Sequence, residues 1–109
     1  TPLYSSAASD VYKRQEAGQA PFVLDVRTQP ELDIAKLDFA AHIPMNEIPQ
    51  RVPELEHRRH DEIIVMCHHG GRSARVRDYL ISAGFKNVRN LVGGIEAYAC
   101  RIDSTLARY

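Results

Sequence analysis

The run Glu62-Ile63-Ile64-Val65-Met66-Cys67 constrains the fold more than any other stretch. It has the length of a strand but no alternation of polar and apolar residues, so both of its faces need cover. Phe22-Val23-Leu24-Asp25-Val26, after Pro21, reads the same way. Strands covered on both faces belong to parallel sheets with helices on each side. Weaker strands are expected at Ala41-His42-Ile43-Pro44 and at Val88-Arg89-Asn90-Leu91-Val92, the last closed by Gly93-Gly94. Helical patterns fall between them. Val76, Leu80 and Ala83 share one face of a helix that begins near Ser73 and stops at Gly84. Ser73 is a candidate cap, and Arg72 equally a candidate first helical residue. Shorter helices are expected over 95–100, over 46–52 with Pro53 interrupting, and as one turn over 30–35. A weak helix is expected over 9–17, behind a frayed lead-in. Strands alternating with helices predict an α/β fold with a mostly parallel sheet of four to five strands.

The chain of 109 residues matches one domain with one core. Lys+Arg and Asp+Glu both number 14, so the net charge is zero and offers no electrostatic basis for binding nucleic acid or an acidic membrane surface. No apolar run approaches the ~18 residues of a membrane span, and no signal-peptide pattern opens the sequence. The two cysteines, Cys67 and Cys100, do not make a disulfide framework. A reducing cytoplasm is the expected setting.

One of those cysteines ends the strongest strand and opens the stretch Cys67-His68-His69-Gly70-Gly71-Arg72-Ser73. In a parallel α/β sheet, ligands bind at the carboxyl ends of strands. A turn after Cys67, followed by a helix near Ser73, would aim backbone N–H groups at the sulfur. Gly70 and Gly71 would allow the positive φ angles that such a nest needs. The helix dipole and Arg72 add positive potential, and all three favour thiolate over thiol. This describes an activated nucleophile in an anion cradle. An inert core cysteine before a glycine turn accounts for the same residues. A metal site built from Cys67, His68 and His69 fits poorly, because adjacent residues rarely converge on one ion. His57 and His60 have a ligand-like spacing, but in a charged connector far from Cys67 in sequence; no metal and no cofactor is expected.

Three segments together resemble a single-domain rhodanese, a sulfurtransferase. Leu24-Asp25-Val26-Arg27-Thr28 with Glu31 is similar to that family's first signature, and residues 67–73 to its active-site loop. Val88 through Tyr98 is similar to its closing strand and helix, and His42-Ile43-Pro44 matches more weakly. The resemblance implies a three-layer rhodanese-like fold over 16–109, the central sheet flanked by helices. It implies that Cys67 accepts a sulfane sulfur from thiosulfate or a persulfide donor, then passes it to a thiophilic acceptor such as a thiol or a protein. Residues 68–73 would hold the persulfide, with His68 and His69 lining the entrance, where imidazole protonation can tune anion binding. Arg72 would brace the loop, and Asp25 and Arg27 would support it from behind. A non-enzymatic sulfur carrier or regulatory module acting with a protein partner is the alternative. Related phosphatases carry a Cys-x5-Arg loop around phosphate. Here Cys67 to Arg72 has one residue fewer, a ring better matched to a single sulfur atom.

The sequence also departs from the family. Residues 1–15 do not resemble the usual start, and Asp10-Val11-Tyr12-Lys13-Arg14-Gln15 looks like translated sequencing-adaptor read-through, so this segment is expected to be a non-native lead-in. Leu3-Tyr4-Ser5 is the candidate substitute for the edge strand. Leu37-Asp38-Phe39-Ala40 stands where Ile-Pro-Gly-Ala is usual, which implies an altered turn near the active face. Tyr98 replaces a usual tryptophan as a packed aromatic. Cys100 lies outside every signature, and residues 101–109 are expected to lie along the surface as a polar tail.

Overall fold

The computed structural model describes residues 5–109. Five parallel strands form one sheet in the order β1-β5-β4-β2-β3. They are β1 (Ser5–Ser6), β2 (Phe22–Asp25), β3 (Ala41–His42), β4 (Glu62–Met66) and β5 (Asn87–Leu91). Helices α1 (Ala8–Glu16), α2 (Gln29–Ile34), α3 (Ile48–Arg51), α4 (Gly71–Ser82) and α5 (Gly94–Arg101) connect or follow them. The α/β architecture with a central parallel sheet is the one expected from the unalternated strands. Side chains of β4 and of Cys67 just after it divide between two cores. Ile63, Val65 and Cys67 pack with Val76 and Leu80 of α4 and with Ile48 of α3. Ile64 and Met66 face Val11 of α1 and Ile95 and Tyr98 of α5. Both faces of the central strand are therefore dry, and its apolar run is explained residue by residue.

Several boundaries differ from the sequence reading. The helix expected at Ser73 begins two residues earlier, because Gly70, at φ 118°, adopts the left-handed conformation and acts as N-cap. Ser73 is therefore in the first turn and does not cap. The helix expected over 46–52 is a composite of a 3-10 turn (Met45–Glu47), α3, and a second 3-10 stretch (Val52–Arg58). Pro53 does not end it, since proline is accommodated in the first turn of a new helical segment. The edge strand is Ser5–Ser6, paired with Asn90 and Leu91 of β5. Leu3 and Tyr4, also proposed for it, lie outside the described residues.

All but the last residue of helix α1 lies within the segment expected to be a foreign lead-in, yet Ala8 and Val11 are buried in the second core. The buried Tyr98 packs in that core too, and its hydroxyl donates to Gln15 Oε1 at 3.1 Å. A charge placed at Val11 would be sealed from water with no partner. Val11→Asp is expected to lower the unfolding free energy by at least about 2 kcal/mol in urea titration. An unchanged midpoint would show that α1 is a dispensable lead-in.

Candidate active site

The chain passes outward from β2 to β3, then crosses back to β4 and on to β5. The carboxyl ends of β2 and β4 therefore flank the point where the winding reverses, the place where open α/β sheets bind ligands. Cys67 follows β4 directly. Val26 follows β2 on the neighbouring strand, its N–H bonded to Met66 O at 3.0 Å.

The loop after Cys67 is shaped by one residue in the left-handed region. Gly70 turns the chain so that α4 starts at Gly71 with its N-terminus directed at the sulfur. The Gly70 N–H donates to Cys67 Sγ at 3.1 Å. The Ser73 hydroxyl lies 3.3 Å from the same sulfur, and Ser73 is fully buried. That hydroxyl also reaches Gly70 O and Asn90 Oδ1, while Asn90 Nδ2 donates to Gly70 O at 3.2 Å. A hydroxyl has one proton, so Ser73 serves these acceptors one at a time. Gly71 does not have the positive φ expected of it, and a Cβ there would meet nothing. The turn needs only the first of the two glycines.

The loop is held from behind by α5. Ile95 N–H donates to Cys67 O at 2.9 Å and Glu96 N–H to His68 O at 3.1 Å. This requires Gly94, at φ 60°, where a Cβ would overlap both of those carbonyl oxygens. With their carbonyls drawn toward α5, the following peptides are free to present N–H groups to the sulfur.

Asp25 and Arg27 form a second support. The Arg27 side chain is fully buried, and every one of its N–H groups has an acceptor. Nε and Nη2 bond the Asp25 carboxylate, Nη2 also bonds Ala35 O at 2.8 Å, and Nη1 bonds Glu31 O and the Tyr109 hydroxyl. Burial works against the Arg27 charge, but these bonds outweigh it and keep the guanidinium charged. His42 Nε2 reaches Arg27 O at 2.7 Å, tying β3 to the same corner.

Arg72 braces the loop through a residue the sequence reading left without a role. Its guanidinium grips Glu31 in a bidentate pair, at 2.6 and 2.8 Å. The Arg72 guanidinium holds the Glu31 carboxyl well below the usual carboxylate range. Glu31 also closes a capping box on Thr28 at the start of α2. The Arg72 charge is thus matched by a carboxylate rather than directed at the sulfur alone. The His68 ring stacks on Tyr109 with centroids 3.8 Å apart and meets His69 in a tilted contact at 3.9 Å. Its Nε2 is buried without a hydrogen-bond partner among the described residues, 3.7 Å from Glu96 Oε2. Among the described residues, no three His, Cys, Asp or Glu side chains gather as a metal-binding set. Cys100 is exposed on α5, where its thiol is bonded to Glu96 and pushed up by that carboxylate.

Burial alone would push the Cys67 thiol up. The Ser73 hydroxyl and the backbone N–H groups of Ser73, Gly70 and Arg72 more than offset it, and the net direction is below the ordinary thiol value. The site therefore contains a buried, acidified thiol at a sheet's switch point, with amide hydrogens facing it.

The profile of the rhodanese-like domain matches residues 7–100, and the chain belongs to that family. A sulfurtransferase from Allochromatium vinosum is 35% identical over 77 residues, covering 71% of this chain and 70% of that one. A putative sulfur carrier protein, YrkF, from Bacillus subtilis is 38% identical, covering 74% of this chain. The crystal structure of a rhodanese-related protein from Thermoplasma volcanium superposes with a TM-score of 0.78 at 32% identity, covering 90% of this chain and 92% of that one. The chain spans 43% of the Bacillus relative's length and 30% or less of two other curated relatives.

Two predictions test the cradle. Gly70→Ala forces a Cβ into the left-handed region and should strongly slow iodoacetamide alkylation of Cys67, whereas Gly71→Ala should leave that rate near wild type. In pH-rate profiles of the same alkylation, the wild-type midpoint should lie below the free-cysteine value of ~8.5. Ser73→Ala removes a donor to the thiolate, so its midpoint should move up; a midpoint unmoved or lowered would contradict the role given to Ser73.

Proposed function

We propose that this domain is a sulfurtransferase in which Cys67 carries the transferred sulfur as a persulfide. The Gly70 N–H at 3.1 Å from Sγ, together with the Ser73 hydroxyl, supports this reading most directly. Both donors favour a thiolate over a thiol, and the same row of amides suits an anion one atom further out. The Cys67 thiolate attacks the outer sulfur of thiosulfate, the sulfur–sulfur bond of the donor breaks, and sulfite departs with the electron pair. The product is a Cys67 persulfide. A thiophilic acceptor, cyanide or a thiolate, then attacks the outer sulfur and returns Cys67 as thiolate. A persulfide donor follows the same course, with a thiolate leaving instead of sulfite. Loading takes the cysteine sulfur to the persulfide level at the expense of the donor's sulfur–sulfur bond, and discharge returns it to thiolate, so the full cycle leaves the enzyme unchanged and the chemistry needs no cofactor.

Asp25, Arg27 and Arg72 act as supports in this scheme, not as reacting groups. Their bonds run to Glu31, Ala35 and each other's elements, fixing the corner against which the loop folds. A second reading is favoured by the Bacillus relative, whose name is that of a putative sulfur carrier, and by the burial of Cys67, which is 1% exposed. In that reading the persulfide is loaded by, or delivered to, a protein partner with little turnover of small donors.

Steady-state thiocyanate formation from thiosulfate and cyanide separates these readings. Wild type and Cys100→Ser should both turn over, and Cys67→Ser should be inactive yet unfold at a similar temperature, since the change is nearly isosteric. Turnover by Cys67→Ser would contradict the mechanism. A wild-type protein inactive with thiosulfate but able to take sulfur from a protein persulfide would establish the carrier reading.

A further inference from the structure

Cys67 is almost wholly buried, yet a nucleophile in the proposed transfer must meet its donor in line with the bond that breaks. Something at the entrance therefore has to move. The residues beyond α5, expected from the sequence to trail along the surface, turn back toward the site. Arg108 Nε pairs with Glu96 Oε1 at 2.6 Å, which anchors the tail to α5 beside the loop. Tyr109 then bridges the loop after β4 and the Arg27–Glu31 corner. Its ring stacks on His68 with centroids 3.8 Å apart and planes 10° apart. Its hydroxyl donates to Glu31 Oε2 at 2.9 Å and accepts from Arg27 Nη1 at 2.8 Å. One side chain thus touches the loop after β4, the residue that braces Arg72, and the buried guanidinium after β2.

We propose that Tyr109 gates the Cys67 site: its side chain closes the entrance between His68 and the Arg27–Glu31 corner, and an anionic sulfur donor enters by taking the phenol's place on Arg27. Four of the five Arg27 N–H groups are committed to Asp25, Ala35 O and Glu31 O, the last through Nη1, so the second Nη1 hydrogen is the one that opens when Tyr109 lifts. The charge of Glu31 is matched by Arg72 and does not stand alone against an entering anion. Tyr109 is itself 37% exposed and belongs to neither hydrophobic core, so lifting it does not require the domain to unfold. The identity of the donor rests on the sulfur-transfer reading above; the gate rests on geometry.

Both tests are independent of turnover. The first is the rate of iodoacetamide labelling at Cys67, mapped by peptide mass, with the exposed Cys100 as internal reference. Tyr109→Ala should speed Cys67 labelling several-fold while Cys100 labelling stays constant. An unchanged Cys67 rate would overturn the gate. The second is calorimetric binding of thiosulfate to the unreactive Cys67→Ser protein. Adding Tyr109→Phe, which keeps the stacked ring but frees Arg27 Nη1, should tighten binding; unchanged or weaker binding would overturn the displacement step. If wild type fails to load sulfur while Tyr109→Ala still accelerates labelling, the gate stands and the transfer reading falls.

Discussion

The site depends on two hydrogen bonds that never touch the sulfur. Backbone N–H groups at the start of α5 take the carbonyls of Cys67 and His68. A loop can aim its amides inward only if its carbonyls are satisfied elsewhere, because buried backbone oxygens without partners are costly. The first turn of a helix supplies spare N–H groups for this purpose. Gly94 makes the arrangement possible by letting the loop backbone lie where a side chain would otherwise be. The second glycine pair of the sequence is therefore as much a part of the site as the first, although it follows a different strand.

Around this contact the structure places its charges in pairs. Arg27 with Asp25 is fully buried, and Arg72 with Glu31 is partly so. A buried ion pair adds little net stability, but losing one partner strands the other charge at a cost of about 3–5 kcal/mol. What such pairs contribute here is position. Arg27 links the ends of β2 and α2, and Arg72 links α2 to the first turn of α4. The sulfur is left facing neutral donors in a rigid frame rather than a free cation.

Much of this was legible in the sequence, because local rules governed it. The unalternated run before Cys67 announced a strand covered on both faces, and the glycines after it announced a tight turn opening a helix. Local rules left the helix start open between Ser73 as cap and Arg72 as first residue, since neither reading sees that Gly70 takes the capping place. The contacts that were not legible join residues far apart in the chain. Glu31 meets Arg72 only once the strands are ordered, and Tyr109 meets Arg27 only once the tail beyond α5 turns back. Asn90 reads as an ordinary strand residue until β5 is set beside β4 and its amide meets Gly70. The tail reads as a polar terminus because no periodicity marks a segment whose role is to lie across a cleft.

The central claim is that the sulfur of Cys67 carries a second sulfur. Intact mass before and after incubation with thiosulfate, followed by peptide mapping and a cyanide chase, tests it most directly. The account predicts a gain of one sulfur atom, located on the Cys67 peptide and not on that of Cys100, and lost to cyanide. A sulfur gained on Cys100 instead, or a Cys67 adduct that cyanide leaves in place, would contradict it.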